Sequence, residues 1–166
     1  MAISQALKEI YSSAPAQQRY IETLAFSHSL FPRTYYLTND NVAWQFTLES
    51  GATVTFQAVP FAIILPKLEG NGNQDMNLTI SNIGRDLIDP LELANGLPTE
   101  AVKCTYRVFL DQPLGSPQNT PVLELIITGV EVTKNAVSAT ATRADVLSRA
   151  FPYNFYRASQ FPGLKR

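Results

Sequence analysis

Few side chains in these 166 residues are of the types that do acid–base, nucleophilic or metal chemistry, and they are not grouped. The single histidine, His28, lies between Ser27 and Ser29 in strand-like sequence. Any Ser-His-Asp or Cys-His arrangement would have to use it, yet neither a G-x-S-x-G elbow nor another nucleophile motif adjoins it. It reads as a structural or surface histidine. The single cysteine, Cys104, is too distant in sequence to make a zinc-finger pattern with it. Cys104 alternates with Val102, Tyr106 and Val108 at period two, the setting of a buried thiol acting as a small hydrophobe. Asp86 and Asp89 are close enough to suggest paired carboxylates, but they flank a short helical stretch, where capping and solvation account for them. Asp75, beside Gly70-Asn71-Gly72-Asn73, offers an oxygen to calcium without the spacing of an EF-hand loop. Gly70-x-Gly72 lacks the third glycine and the Lys-Ser/Thr of a phosphate loop. The expectation is a protein that is not an enzyme, with no catalytic, cofactor-binding or metal-ligating residue and no cofactor.

The elements that would carry these residues are mostly strands. Ser4 to Ser13 has Ala6, Leu7, Ile10 and Tyr11 at helical spacing, with Ser4 as a cap and Pro15 as a stop. The period then changes to two, through Tyr20 to His28, Thr34 to Thr38, Trp44 to Leu48 and Thr53 to Phe56. Asn39-Asp40-Asn41 and Ser50-Gly51 mark turns. Val59 to Leu65 is apolar and bracketed by Pro60 and Pro66, which places it at a sheet edge or ends it there. Met76, Leu78 and Ile80 alternate with polar residues, the pattern of a half-buried strand. Asp86 to Ala94 is a candidate short helix, ended by Asn95-Gly96. Three further strands follow, Val102 to Leu110, Val122 to Thr133 and Ala136 to Thr142, with a polar loop from Asp111 to Pro121 after the first. Lys134-Asn135 fits a two-residue hairpin turn, and Gly129 predicts a bulge that bends its strand as a barrel wall needs.

One domain suffices for this length, and it is large enough to bury a core without disulfides or metals. The fold class expected is mainly β: a small barrel or sandwich with a short N-terminal helix, one short internal helix and an extended C-terminal arm. The single domain divides into a helical segment over 1–15, a β core over 16–146 and the arm over 147–166. Apolar residues make up 45% and charged residues only 16%, against about 25% charged in an average globular chain. A charge-poor surface suits a protein that faces other subunits, although a domain rich in Thr, Ser, Asn and Gln has the same composition. The net charge of −1, with scattered basic residues, offers no grip on a phosphate backbone. The start Met1-Ala2-Ile3 lacks the basic-then-apolar order of a signal peptide. No apolar run approaches the roughly 20 residues needed to span a bilayer. One cysteine implies no oxidising compartment, so the expected place of synthesis and storage is a cytoplasm.

The arm is the sharpest feature. Phe151, Pro152, Tyr153, Phe155, Tyr156 and Arg157 are followed by Phe161, Pro162 and Leu164, with no helix or strand period of useful length. These residues either fold back on the domain's own core or lie on a neighbouring subunit. Aromatics and arginine dominate interface hot spots, and prolines lower the entropy lost when such a segment is fixed. All nine are therefore candidate subunit-interface residues. Sugar binding by exposed aromatics is a further reading, without the nearby acidic and amide residues that usually accompany it.

The order of features resembles a family of small tail-tip or hub proteins of phages with long non-contractile tails. The resemblance is carried by the helix leading into Tyr20-Ile21-Glu22-Thr23-Leu24-Ala25-Phe26-Ser27-His28, by Asn77-Leu78-Thr79-Ile80-Ser81-Asn82-Ile83, and by the closing Phe151-Pro152 and Phe161-Pro162-Gly163-Leu164. The second stretch is similar to one in the N-terminal β domain of the lambda tail-tip protein L. The cysteine-rich, cluster-binding region of that larger protein has no counterpart in a chain with one cysteine. The resemblance implies a virion structural protein: a β-barrel hub or distal tail ring, trimeric or hexameric, joining the tail tube to the tip or central fibre. Its implied partners are copies of itself, the tube, the tape measure and the central hub, with assembly in the host cytoplasm. A carbohydrate- or receptor-binding module of the tail is the alternative. Val59 to Leu65 and Ala136 to Thr142 are the expected sheet edges.

Overall fold

The computed structural model describes residues 2–13, 19–65, 75–81, 100–111, 115–133 and 136–143. In chain order the elements are β1 (Ala2–Ile3), α1 (Gln5–Ser13), β2 (Tyr20–Ser27), β3 (Tyr35–Thr38), β4 (Trp44–Thr47) and β5 (Thr53–Ala58). They continue with β6 (Phe61–Ile64), β7 (Asp75–Ser81), β8 (Lys103–Leu110), β9 (Asn119–Thr120), β10 (Leu123–Val132) and β11 (Ala136–Thr142).

Helix α1 starts where the sequence places it. The Ser4 hydroxyl accepts the Leu7 backbone N–H at 3.1 Å, satisfying one of the N–H groups a helix start leaves without a partner. Leu7 and Ile10, three positions apart, are the helix residues that enter the core.

Among the described residues nine strands form one sheet in the order β4-β5-β3-β2-β8-β10-β11-β7-β6. All neighbours are antiparallel except β3 and β5, which are parallel over Leu37↔Gln57 and Thr38↔Ala58. The sheet ends at β4 on one side and β6 on the other, so it does not close. Of the two expected architectures the sandwich-like one holds and the barrel does not. Closure is approached at one point. The Val59 N–H donates to the Thr38 carbonyl at 3.1 Å and the Ser81 N–H to the Pro60 carbonyl at 3.0 Å, so Val59-Pro60 links the end of β3 to β7.

The long β2–β8 ladder runs from Tyr20↔Leu110 to Ser27↔Lys103 and is buried on both faces. On one face Leu24, Phe26, Cys104, Tyr106 and Val108 join a core that also takes in Leu7, Leu37, Phe61, Leu78 and Leu125. That membership, from α1 and from strands at both ends of the sheet, requires the sheet to curve around a common interior. On the other face Ile21 and Phe109 meet Phe46 and Phe56 of the β4–β5 hairpin. Phe46 lies on Phe109 with centroids 4.2 Å apart and rings 6° from parallel. Burying one such ring contributes about 1.5–3 kcal/mol. The hairpin therefore forms a partial second layer. Its turn is closed by Gly51 at φ 83°, a conformation that glycine adopts without the Cβ strain other residues meet. The Gly51 N–H donates to the Leu48 carbonyl at 2.9 Å.

The bulge expected at Gly129 is present, as a register shift between Ile127 and Gly129 in the β10–β11 pairing. Thr133 and Ala136 close the β10–β11 hairpin, the Thr133 N–H donating to the Ala136 carbonyl at 2.9 Å. Met76, Leu78 and Ile80 point inward as expected. Two expectations are corrected. Ala136 to Thr142 is an interior strand, its backbone pairing with β10 on one side and with β7 on the other along its length. The segment Asp111 to Pro121 is not all loop. Asn119 and Thr120 pair with β1, a strand too short to show a period. The expected helix at 86–94, the 70–73 turn and the arm lie outside the described residues.

Asn119 is 1% exposed and stands beside β8 just past the stretch that pairs with β10. Its Oδ1 accepts the Val108 N–H at 2.9 Å, and its Nδ2 donates to the Tyr106 carbonyl at 3.1 Å. One amide thus replaces a missing strand partner. Asn119→Ala leaves a buried donor and a buried acceptor without partners, an expected loss of about 2–4 kcal/mol. Urea unfolding of the variant checks it, and a loss below about 0.5 kcal/mol, the scale of an ordinary surface substitution, contradicts the clip.

Candidate functional site

Among the described residues, a serine, a histidine and a carboxylate come together just after β2. His28 follows β2, and its ring faces Glu100 and Phe31. The Leu30 N–H donates to Nδ1 at 3.2 Å, which fixes the proton on Nε2, and Nε2 donates to the Glu100 carbonyl oxygen at 3.2 Å. Ser29 donates to the Glu100 carboxylate. Serine, histidine and glutamate meet here, but their connections are wrong for a triad. The imidazole holds a backbone carbonyl instead of the carboxylate, and the serine bonds the acid instead of the base. The cluster fastens the turn after β2 to the chain entering β8.

Cys104 is fully buried in the main core. Burial pushes its thiol up to about 12, so it stays protonated and is not a nucleophile near neutral pH. Among the described residues no three His, Cys, Asp or Glu side chains are grouped to hold a metal. Asp75 begins β7 opposite Thr142, within the strand ladder. Asp86, Asp89, Gly70 and Gly72 lie outside the described residues, as do all nine arm positions: Phe151, Pro152, Tyr153, Phe155, Tyr156, Arg157, Phe161, Pro162 and Leu164.

Open hollows mark the described surface. One, of about 260 Å³, lies between β3 and β5 beside Arg33, Tyr36 and Gln57. Another, of about 600 Å³, lies over β7, β11 and β10, where Asn77, Thr79, Thr128, Ser138 and Thr140 face it. The larger hollow is floored by short polar side chains with Glu131 as its one ionisable group, and the Gly129 bulge sits within it. Neither gathers acids, bases and nucleophiles at bonding distance.

The surface is more informative about contact than about catalysis. Large exposed apolar side chains are Tyr11, Tyr20, Leu30, Val42, Ile64, Leu65 and Val132. Singly exposed hydrophobes are ordinary. Tyr11 and Tyr20 cover part of each other, with centroids 5.3 Å apart. Ile64 and Leu65 differ, being adjacent, 67% and 44% exposed, and at the end of edge strand β6. The other edge is better guarded. Next to β4, Asp40 accepts the Trp44 indole N–H at 2.8 Å, and this bond is the main cause of a carboxyl held below its usual range. Beyond β4, Glu49 takes both of its carboxylate oxygens to Arg107 Nε, at 2.9 and 3.2 Å. Burial alone would raise Glu49, but the bonds and charge of Arg107 prevail and its carboxyl is lowered. Sequence reading missed these pairs and the Asn119 clip. The Asp40-x-x-x-Trp44 spacing was the one local signal, and the Glu49–Arg107 pair spans 58 positions.

The described residues thus define a sandwich-like β domain with an aromatic-capped, two-faced core and one open, apolar sheet edge. Residues 6–156 match the family described as Domain of unknown function (DUF1833), and the chain belongs to that family. No functionally curated protein matches the sequence. Among solved structures, the chain is similar to one from the virion of the native gene transfer agent (GTA) particle. The likeness has a TM-score of 0.58 and 15% identity over 92% of this chain. This chain spans 49% of that one, and at such identity the likeness is one of fold.

Two outcomes follow from the buried and paired groups. Native protein at pH 8 is expected to leave Cys104 unreacted with a disulfide reagent, and to titrate one thiol once unfolded in urea. Rapid reaction of the native thiol contradicts the burial. Glu49 has a lowered carboxyl when folded, so its stabilisation is complete above the ordinary carboxylate range near 4. It is lost as pH falls through the lower folded value. Urea midpoints of wild type and Glu49→Gln are therefore expected to differ at pH 7 and to converge as pH falls below the ordinary carboxylate range. A difference that persists undiminished at low pH contradicts the pairing.

Proposed function

We propose that this chain is a non-enzymatic structural subunit of a phage-like virion, and within it a tail-tip component. In this reading it is a hub or distal tail ring that links the tail tube to the tip or central fibre complex. The observation that carries the proposal is the fold shared over nearly the whole chain with half of a chain from a gene transfer agent virion. The finer reading, the tip, is supported by the resemblance of Asn77-Leu78-Thr79-Ile80-Ser81-Asn82-Ile83 to a stretch of the N-terminal β domain of the lambda tail-tip protein L. The low charge and the connections of His28 and Cys104 agree with a role in contact and not in chemistry.

In this role the chain assembles with copies of itself, as a ring of three or six, and with the tube, the tape measure and the central hub. It is built in the host cytoplasm and retained in the virion. The arm residues Phe151, Pro152, Tyr153, Phe155, Tyr156, Arg157, Phe161, Pro162 and Leu164 hold neighbouring copies, each buried aromatic acting as an anchor.

The test follows wild type, Phe161→Ala and Tyr156→Ala through assembly. Wild type is expected to stay with gradient-purified particles. Each variant is expected to unfold within about 0.5 kcal/mol of wild type while its incorporation falls at least tenfold. Normal incorporation of both variants refutes the arm as an interface. Wild-type chain missing from disrupted particles refutes the virion reading itself.

A further inference from the structure

We infer that the outer edge of β6 is the docking site for the C-terminal arm of a neighbouring copy, which adds to the sheet as an extra strand. The inference deepens the assembly reading above and rests on it. Three features converge on this edge. The first is backbone. The Ser81 N–H bonds the Pro60 carbonyl, and Phe61 lies opposite Ile80. Antiparallel alternation then turns Pro60, Ala62 and Ile64 toward β7, and turns the N–H and C=O of Ile63 outward. The Asn39 side chain occupies the outward N–H of Phe61 at 3.2 Å, which confirms the phase and limits the open stretch to the Ile63 end. Among the described residues no strand pairs with that side.

The second feature is the missing protection. Exposed edges ordinarily carry charge, most often lysine. Phe61-Ala62-Ile63-Ile64-Leu65 carries none, and its last two side chains are the exposed pair. The third is where the chain leaves the sheet. Ile64 pairs with Asn77, and Asn77 with Thr140, so the exit after Thr142 lies at the Ile64 end of the sheet. The new strand position is three strands from β11, about 14 Å at the usual spacing. Residues 144–152 can extend to about 30 Å, about twice that distance. The stretch Tyr153-Asn154-Phe155-Tyr156-Arg157-Ala158-Ser159-Gln160 is free of proline, so every backbone N–H in it can join a ladder, and Phe-Pro units bound it on both sides.

The test is disulfide mapping on the full-length chain, with Cys104 buried and out of reach. Ile64→Cys and Phe155→Cys are made as separate variants, mixed at high concentration and oxidised. A double variant carries both cysteines in one chain. The mixed singles are expected to give an Ile64Cys–Phe155Cys dimer, and the added substitution Ala62→Lys, on the exposed side of the strand, to reduce its yield at least tenfold. Cross-linking confined to single chains of the double variant overturns docking between copies. No cross-link in either experiment overturns the β6 site altogether. Both results leave the virion reading intact, since that stands or falls on the presence of the chain in particles.

Discussion

A ladder buried on both sides governs this fold. Once β2 and β8 pair along eight positions with apolar side chains on both faces, the sheet they belong to cannot remain an open, one-sided sheet in water. One face is closed by curving the sheet and laying α1 against it. The other is closed by the β4–β5 hairpin, whose Phe46 and Phe56 meet Phe109. The Glu49–Arg107 pair ties the hairpin's turn to β8 itself. Even the polar clip at Asn119 follows from the ladder, because β8 runs on past the residues that β10 can pair and its buried backbone needs another partner.

The sequence showed much of this and hid a definite part. Period-two alternation located the main strands, as at Met76, Leu78 and Ile80, and Ser4 marked the helix start. Gly129 identified its bulge and Cys104 its burial. Sheet order stayed hidden because it depends on partners far apart in sequence. Ala136 to Thr142 read as an edge yet sits inside the sheet, and Val59 to Leu65, no longer than it, holds the edge strand β6. The difference between a closed barrel and an open sheet was equally invisible, since it turns on whether two edges meet. Single-sequence patterns also cannot show a side chain acting as a strand, so Asn119 read as part of a polar loop.

Of the candidate site, the settings of His28 and Cys104 were legible. Without a motif around them the histidine read as a structural or surface residue and the cysteine as a buried thiol, and the structure places His28 on the Glu100 carbonyl and Cys104 in the main core. A protein that works by contact puts its information in edges, low charge and tails, which carry weak sequence signals individually. In the proposed assembly a rigid β scaffold presents an edge, and a tail of aromatics and prolines would supply reach without a large entropic penalty. Ring closure would cover apolar surface that a free subunit exposes.

The most direct measurement is electron microscopy of particles decorated with gold-labelled antibody against this chain. A tail-tip subunit predicts label at the distal end of the tail, in intact particles or after partial disruption exposes the epitope. Label confined to the head or along the tube, or absent from intact and disrupted particles alike, contradicts it.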